Sequence, residues 1–414
     1  MQTIKKPFVI IALALVAFVL YWGMQSETPT IEAETTTDDP VLAEITETAR
    51  ARHKVYGVNV AIITPDGKEH TASAGLENRF KQDPLTADKV MLAGSTGKVL
   101  FSAVALMLVD EGVLDLDAPI SKWIADEAWF SRLPNGDDIT IRMLMNHSSG
   151  LINHVEHEDF LADFKVLMAE NPDNSVSTVE SLAYLLDKEP LFEAGSAMAY
   201  SDTNYILMAY IVEKITGRSF YDLIEERILK PQGFKNIYAQ RSRDIPNLAT
   251  GHLTRGTNLF GLDSDTNMNE DGELLFNPSF EYGGGGYAAT AVELARLAKK
   301  LYVERLVTDT QFGEMSKTLT LAEGPGFRIG YGLGFMTYQT PFGFAVGHSG
   351  YMPGYRSEMF YFEEDKVIVA ITANQSQGFN ATMMAFTIAD EYMKALGIRE
   401  TTPAPAEDAS EASD

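Results

Sequence analysis

The chain has 414 residues, enough for one large domain or two of ordinary size, and 45% of them are hydrophobic. It carries 33 Lys and Arg against 58 Asp and Glu, a formal net charge of -25, which argues against nucleic acid or an anionic membrane surface as partner. The absence of cysteine excludes disulfides, cysteine nucleophiles, thiolate metal sites and a lipid-modified cysteine anchor.

The first 25 residues form a candidate membrane segment. Lys5 and Lys6 precede an uninterrupted apolar run over residues 8–24. At about 1.5 Å per residue this run would cross most of a bilayer core of about 30 Å, and the positive flank would keep the N-terminus in the cytoplasm. No persuasive A-x-A cleavage site follows, so residues 1–25 are interpreted as a signal anchor, with a cleaved signal peptide as the alternative. We therefore expect a cell-envelope protein that is anchored in the cytoplasmic membrane and faces the periplasm or exterior, or is secreted.

The composition of the chain divides the remainder into three parts. Residues 26–40 are acidic, rich in Thr and without apolar periodicity, as in a linker. Residues 401–414 have the same character and are predicted to be a disordered tail. The folded domain is therefore expected to span residues 41–400.

The predicted elements at the two ends of this domain are alike in kind. Residues 41–55 have helical spacing of apolar residues, and residues 55–78 predict a strand, a Pro-Asp-Gly turn and a second strand. Residues 357–376 again predict strand, turn and strand, followed by a helix over residues 380–396. The pattern predicts an α/β fold of the α+β type, in which both ends of the chain build one antiparallel sheet flanked by helices, with a large, mostly helical subdomain inserted.

The segment GSTGK, which includes Ser95 and Lys98, has two interpretations. A phosphate-binding loop would need Gly at Leu92 and Ser or Thr at Val99, so that interpretation fails at two positions. The alternative is S-x-x-K, which places Lys98 one helical turn from Ser95 on the same face. Residues 99–109 are apolar nearly all round, so Ser95 is expected at the N-terminus of a buried helix, where backbone N–H groups stabilise a developing anion.

Two later segments favour the S-x-x-K interpretation of Ser95 and Lys98. Tyr200-Ser201-Asp202 precedes a predicted helix, and His348-Ser349-Gly350 lies in a strand-like stretch. In this order and at these intervals, the three segments together resemble the serine penicillin-recognising enzymes, in the branch of class C β-lactamases, DD-peptidases and related esterases. Three further stretches support the resemblance: LVDEGVLDLDAPISKWI from Leu108, ITIRMLMNHSSGL from Ile139 and EYGGGGYAATAVELARLA from Glu281.

The resemblance implies a β-lactamase/transpeptidase-like fold and a set of roles. Ser95 would be the nucleophile that forms an acyl-enzyme, and either Lys98 or Tyr200 would be the general base. The oxyanion hole would be the backbone N–H groups of Ser95 and Tyr351. The residues expected to bind substrate are Asp202, His348, Ser349, Gly350 and Tyr351. No cofactor or metal is implied.

Two positions depart from the family's usual pattern. His348 stands where Lys is common, and it is expected to donate to a substrate carboxylate with a charge that changes near neutral pH. Asp202 stands where Asn is usual, and an ionised carboxylate accepts hydrogen bonds but cannot donate them. The same carboxylate would favour a charged Lys98, which favours Tyr200 as the base and predicts weak turnover of β-lactams.

Other signals are given a non-functional interpretation or remain open. His154 and His157 in HVEHED do not match a metal-site motif and are interpreted as part of a solvated polar face. The acidic loop from Asp263 lacks the Gly and Glu of a calcium loop. Residues 151–190 match no known motif and are expected to form a lid or rim that influences substrate choice.

The sequence thus predicts a serine hydrolase that acts through an acyl-enzyme at Ser95 on a peptide, amide or ester. The expected partners are a small-molecule or peptide substrate, including cell-wall peptide, and the membrane through the N-terminal segment. DD-peptidase-like activity is favoured, then esterase, then weak β-lactamase. The alternative is a non-hydrolysing penicillin-binding sensor or binding protein of the same fold.

Overall fold

The computed structural model describes residues 39–400 except 257 and 259. A nine-stranded antiparallel sheet has the strand order β3-β2-β1-β12-β11-β10-β9-β8-β7, and a small sheet has the order β4-β6-β5. The strands are β1 Gly57–Ile63, β2 Glu69–Asn78, β3 Asp83–Pro84, β4 Met91–Leu92, β5 Ile237–Ala239, β6 Tyr287–Ala289, β7 Leu319–Gly324, β8 Phe327–Tyr331, β9 Met336–Thr340, β10 Gly343–Met352, β11 Tyr355–Phe362 and β12 Val367–Ala373.

Helices cover both faces of the large sheet. The α-helices are α1 Pro40–His53, α2 Lys98–Asp110, α3 Ser121–Ile124, α4 Ile141–Met145, α5 Glu158–Glu170, α6 Thr178–Ala183, α7 Asp202–Thr216, α8 Phe220–Ile224, α9 Lys230–Gln232, α10 Ala291–Ala298, α11 Asp309–Met315 and α12 Ala381–Ala395. Short 3₁₀-helices include Gly94–Gly97, His154–Glu156 and Pro278–Glu281.

The sheet separates two apolar cores. On one face, α1 and α12 pack against alternate residues of the central strands, for example Val60, Val369 and Phe360. On the other face, Ala61 and Met359 pack with α2, α7 and α10. Because helices cover both faces, the central strands β1 and β12 are buried along their whole length, which explains their nearly continuous apolar sequences.

Local sequence signals set the ends of the first helix. The Asp39 side chain accepts hydrogen bonds from the backbone N–H groups of Val41 and Leu42, and Pro40 occupies the first turn. Lys54 ends the helix in the left-handed conformation. The chain then enters β1 directly, so the first helix and the first hairpin lie in sequence order.

The predicted architecture is confirmed. The sheet joins the hairpin β1–β2 to the hairpin β11–β12 through the β1–β12 pairing, so both ends of the chain contribute to it. The predicted buried helix is α2, and its residues Val99 and Phe101 are fully enclosed. The proposed signal anchor at residues 1–25 lies outside the described residues, as do most of the linker and the C-terminal tail. Among the described helices, none combines the length and apolar character needed to span a bilayer.

Candidate active site

Ser95 lies in a tight turn that leads directly into the buried helix α2. The 3₁₀-helix Gly94–Gly97 ends where α2 begins at Lys98. Ser95 is partly exposed, whereas Gly94, Thr96 and Gly97 are buried. Lys98 Nζ lies 3.0 Å from Ser95 Oγ, so the two residues meet as the S-x-x-K spacing predicts.

Lys98 is completely enclosed by polar and aromatic groups. Its Nζ donates to Asp202 Oδ1 at 2.5 Å and to the backbone carbonyl of Gly284. It also lies 5.1 Å from the ring centroid of Tyr200 and 5.4 Å from that of Tyr205. These contacts, together with the one to Ser95, hold the ammonium group in place as a donor.

The charge of Lys98 depends on burial and on three neighbouring acidic groups. Burial opposes the charged form, but Asp202, Tyr200 and Glu281 outweigh it and raise the pKa of Lys98 above its ordinary value. Burial, together with repulsion from Asp202, raises the pKa of Glu281 to about 8. Lys98 is therefore an ammonium at neutral pH, and in this state it cannot accept the Ser95 proton.

The Tyr200 hydroxyl is close enough to Ser95 and Lys98 for both groups to affect its pKa. Burial raises the pKa of its hydroxyl and Asp202 adds to this, whereas Lys98 and Ser95 act in the opposite direction. The Tyr200 Oη is enclosed and makes no hydrogen bond of regular geometry with the described residues. In the resting state Lys98 is charged and Tyr200 is neutral, so the pair must lose one proton before either group can act as a base.

His147 supports the turn that carries Tyr200. Its ring lies 4.2 Å from that of Tyr200, and its Nδ1 accepts from the Ser201 backbone N–H and from the Asn204 side chain. Burial lowers the pKa of His147 well below its usual range, with Lys98 and His348 contributing. His147 is thus a neutral acceptor that orients the Tyr200 turn.

The start of the 151–190 segment holds Asp202 in position. Asn153 Oδ1 accepts from the Asp202 backbone N–H at 3.0 Å, and the Ile152 carbonyl accepts from Ser201 and Thr203 hydroxyls at 3.0 and 2.8 Å. This part of the predicted rim therefore contacts the site directly.

The interpretation of His154 as part of a solvated face was wrong. Its side chain is fully buried, with Nδ1 3.0 Å from Thr203 Oγ1 and the ring packed against Phe160. Among residues 39–400, apart from the two not described, no group of three or more His, Asp or Glu is arranged to hold a metal ion.

Strand β10 forms the opposite wall of the site. A Cβ on Gly350 would lie 1.9 Å from the Ala93 carbonyl, and one on Gly94 would lie 2.5 Å from the Tyr351 carbonyl. The end of β10 and the turn that carries Ser95 are therefore in contact through their backbones. Ser357 Oγ also donates to the Ala93 carbonyl at 2.6 Å, which ties β11 to this turn. Glycine at these positions permits the close approach.

Strand β10 extends beyond its pairing with β9, from His348 to Met352. The pairing of β9 with β10 runs from Gly343 to Gly347 and stops there. The last pair before the two-residue turn of the β10–β11 hairpin is Met352–Tyr355, and in such a hairpin this pair is hydrogen-bonded. Tyr351 belongs to the adjacent pair, which is not hydrogen-bonded, so the Tyr351 N–H group points away from β11. The Tyr351 N–H therefore faces the edge at which Ser95 lies, as an oxyanion hole requires.

His348 differs from its expected behaviour. It is only 1% exposed, Nδ1 lies 2.7 Å from the Ser349 carbonyl, and Nε2 lies 2.9 Å from Tyr331 Oη. Nδ1 therefore donates to the carbonyl and Nε2 accepts from Tyr331. Burial, assisted by Lys98, lowers the pKa of His348 to about 3. The expected change of charge near neutral pH was wrong, because the ring is neutral there and both nitrogens are engaged.

The structure thus brings together all eight residues singled out in the sequence: Ser95, Lys98, Tyr200, Asp202, His348, Ser349, Gly350 and Tyr351. Sequence reasoning did not assign roles to Glu281, His147 or Asn153. Glu281 and His147 lie within EYGGGG and NHSSG, which are parts of two stretches that support the family resemblance, so the resemblance could have identified them. Asn153 had no sequence signal.

Comparisons with known proteins show which family and which relatives the chain resembles. A model of the Beta-lactamase family matches residues 42–392. The chain is 25% identical to penicillin-binding protein 4* of Bacillus subtilis (strain 168) over 342 residues, which are 80% of this chain and 71% of that protein. It is 24% identical to a D-aminopeptidase of Brucella anthropi over 335 residues, 80% of this chain and 58% of that protein.

A solved structure shows the same fold. The D-amino acid amidase from Ochrobactrum anthropi SV3, complexed with L-phenylalanine amide, is similar with a TM-score of 0.73 at 22% identity. The similarity covers 86% of this chain and 99% of that one.

Proposed function

Because this chain belongs to the Beta-lactamase family, we propose that it is a serine hydrolase that forms an acyl-enzyme at Ser95 and acts on a peptide, amide or ester. The observation that carries the proposal is the contact of Lys98 Nζ with Ser95 Oγ at 3.0 Å, with the Tyr200 ring centroid 5.1 Å from the same Nζ. A serine hydroxyl becomes a competent nucleophile when adjacent groups can take its proton, and these groups are adjacent.

The proposed reaction proceeds in two acyl transfers. Ser95 Oγ attacks the substrate carbonyl while its proton passes to the deprotonated Lys98–Tyr200 pair. The backbone N–H groups of Ser95 and Tyr351 stabilise the oxyanion, and such a donor typically contributes about 100- to 1000-fold in rate. The leaving group takes the proton from the pair as it departs, and water then hydrolyses the ester on Ser95.

The substrate class follows from the relatives and from Asp202. A penicillin-binding protein and a D-aminopeptidase are among the similar proteins, so peptide and amide bonds are the first candidates, with esters next. Asp202 engages Lys98 and offers no donor to a substrate carbonyl, which supports weak turnover of β-lactams. We place the activity at the cell envelope on the basis of the apolar run at residues 8–24.

A non-hydrolysing penicillin-binding sensor is the second candidate. It is supported by Asp202, which stands where Asn is usual and pairs with Lys98. The two candidates differ in the lifetime of the acyl-enzyme.

The test is intact mass spectrometry of the full-length chain over time with 4-nitrophenyl acetate and with benzylpenicillin. An adduct that decays with product release supports the hydrolase, and a persistent adduct supports the sensor. Ser95→Ala should abolish the adduct, whereas the exposed Ser131→Ala should retain it. Absence of any adduct on folded wild-type protein, or an adduct that survives in Ser95→Ala, would overturn the assignment of Ser95.

A further inference from the structure

The 3₁₀-helix His154–Glu156 brings a further carboxyl group next to Asp202. Asn153 lies between the two acidic residues: its Oδ1 accepts from the Asp202 backbone N–H at 3.0 Å, and its Nδ2 donates to Glu156 Oε1 at 2.9 Å. Asp202 is close enough to Glu156 to affect its pKa. Glu156 is exposed, whereas Asp202 is 9% exposed. The two carboxyl groups therefore extend from the interior of the site to its solvent edge, joined by one amide side chain.

Each of these carboxyl groups keeps one oxygen without a donor. Asp202 binds Lys98 through Oδ1, and among the described residues none donates to Asp202 Oδ2. Glu156 binds Asn153 through Oε1, and in the same part of the chain none donates to Glu156 Oε2. An ionised carboxylate can accept about four hydrogen bonds on its two oxygens. Both groups therefore have the capacity to bind a further donor.

The basic side chains around these carboxyl groups leave one negative charge uncompensated. Lys98 is the cation that pairs with Asp202. The buried ring of His154 is neutral at pH 7, because burial lowers its pKa to about 4. Within residues 39–400, leaving aside 257 and 259, Glu156 forms no ion pair with Lys, Arg or His.

The exposure of Glu156 keeps its charged form accessible. Burial raises the pKa of Glu156, the hydrogen bond from Asn153 lowers it, and Asp202 raises it. Because the side chain is exposed, water and the Asn153 amide together solvate the carboxylate at neutral pH. A carboxylate can only accept hydrogen bonds, so a donor that carries positive charge suits both its chemistry and its charge.

An ammonium group close to the bond that Ser95 attacks would reach this pair of carboxylates. Ser95 Oγ and Asp202 Oδ1 contact the same Lys98 Nζ, at 3.0 and 2.5 Å. An amino group on the carbon next to the attacked carbonyl stays near Ser95 Oγ throughout acylation. From there it can donate to Asp202 Oδ2, with Glu156 one side chain further toward solvent.

We propose that Asp202 and Glu156 bind a free ammonium group of the substrate, carried on the carbon next to the carbonyl that Ser95 attacks. The inference rests on the proposed function and names its substrate class. The substrates are amides, esters or peptides whose acyl part has an unmodified amino group. Acyl groups without a positive charge are poorer substrates.

The test compares two aryl esters on the full-length chain: phenyl glycinate and phenyl propionate, which differ in an ammonium against a methyl group. Their kcat/KM values are normalised to the rates of non-enzymatic hydrolysis at the same pH. The normalised ratio at pH 7 should favour phenyl glycinate about tenfold, because opposite charges attract in a partly desolvated site. An α-amino group has a pKa of about 7.7–8.0, so the ratio should fall toward one at pH 9.

Three variants separate the charge of Glu156 from other effects. Glu156→Gln should lower the ratio at pH 7 to about 1–3, and Glu156→Lys should bring it below one. Glu170→Gln removes an exposed carboxylate at the far end of α5 and should leave the ratio unchanged. Because Glu156 is exposed, both of its substitutions should leave the fold intact.

The outcomes distinguish the inference from the proposed function. A wild-type ratio near one at pH 7 would overturn the inference while the proposed function stands. A preference for phenyl glycinate that Glu156→Gln and Glu156→Lys both leave unchanged would overturn it as well, since the ammonium would then be bound elsewhere. Failure of both esters to acylate Ser95, measured by intact mass spectrometry, would overturn the proposed function and the inference together.

Discussion

Replacing Asp202 by Asn removes the negative charge that holds Lys98 protonated. The two groups are 2.5 Å apart and Lys98 is fully buried. At an effective dielectric constant of about 20, opposite charges about 3 Å apart attract by roughly 5 kcal/mol, which corresponds to about four pKa units on Lys98. Loss of Asp202 also lets Glu281 ionise, since Asp202 contributes to its raised pKa, and this offsets part of the change. We therefore expect the pKa of Lys98 to fall by about two units.

The kinetic consequence is measurable because the Lys98–Tyr200 pair must lose a proton before Ser95 can react. In the wild type, kcat/KM for 4-nitrophenyl acetate should rise with pH through the alkaline range. In Asp202→Asn the rising limb should move to lower pH by about two units, with a rate at pH 7 that is about ten- to a hundredfold higher. Asp66→Asn, which removes an exposed partner of Lys68, is the matched control and should not move the limb. An unshifted limb in Asp202→Asn would refute the reasoning that Asp202 keeps Lys98 charged.

Three further substitutions test packing and burial at the site and elsewhere in the fold. Gly97→Ala would place a Cβ 1.7 Å from the Gly285 carbonyl. The free energy of unfolding in urea should therefore fall by about 1–3 kcal/mol, and acylation of Ser95 should slow at least about 100-fold. Near-wild-type values of both would contradict the close approach. Gly313→Ala, at an exposed position in α11 with open space around it, should raise the unfolding free energy by about 0.5–1 kcal/mol without changing activity, and a loss of stability would count against that environment. Burial lowers the pKa of His252 to about 4, so this group stabilises the fold above pH 6.5 and the stabilisation is lost as pH falls toward 4. The stability advantage of the wild type over His252→Gln in urea should therefore shrink by about 1 kcal/mol between pH 7.5 and pH 5.5, and a constant difference would refute this.

Much of the fold could be predicted because the signals are local. The apolar periodicity of residues 41–55 and 380–396, and the strand–turn–strand patterns next to them, each depend on near neighbours in sequence. The S-x-x-K spacing likewise places Lys98 one turn from Ser95 in any helical conformation. Pairing of the two terminal hairpins followed from the need to bury their apolar faces together.

The errors concern burial and charge, which depend on distant parts of the chain. His154 looked like a surface residue among acidic neighbours, but Thr203 and Phe160 enclose it. His348 looked like a group that titrates near neutral pH, but Tyr331 and the Ser349 carbonyl occupy both ring nitrogens in a dry environment. A sequence motif identifies which residue type occupies a position, whereas desolvation and hydrogen bonding in the folded chain set the charge of that residue.

The sequence by itself determined the order of the elements, the sheet built from both ends of the chain, and the adjacency of Ser95 and Lys98, because these follow from periodicity and local spacing. Only the tertiary structure decided what surrounds Lys98, since Asp202 is 104 residues away and Gly284 is 186 residues away. It alone placed Glu281 near Lys98. The physical reason is that a pKa and the direction of a hydrogen bond depend on the dielectric environment and on the groups within a few ångströms, which are fixed only when the chain packs.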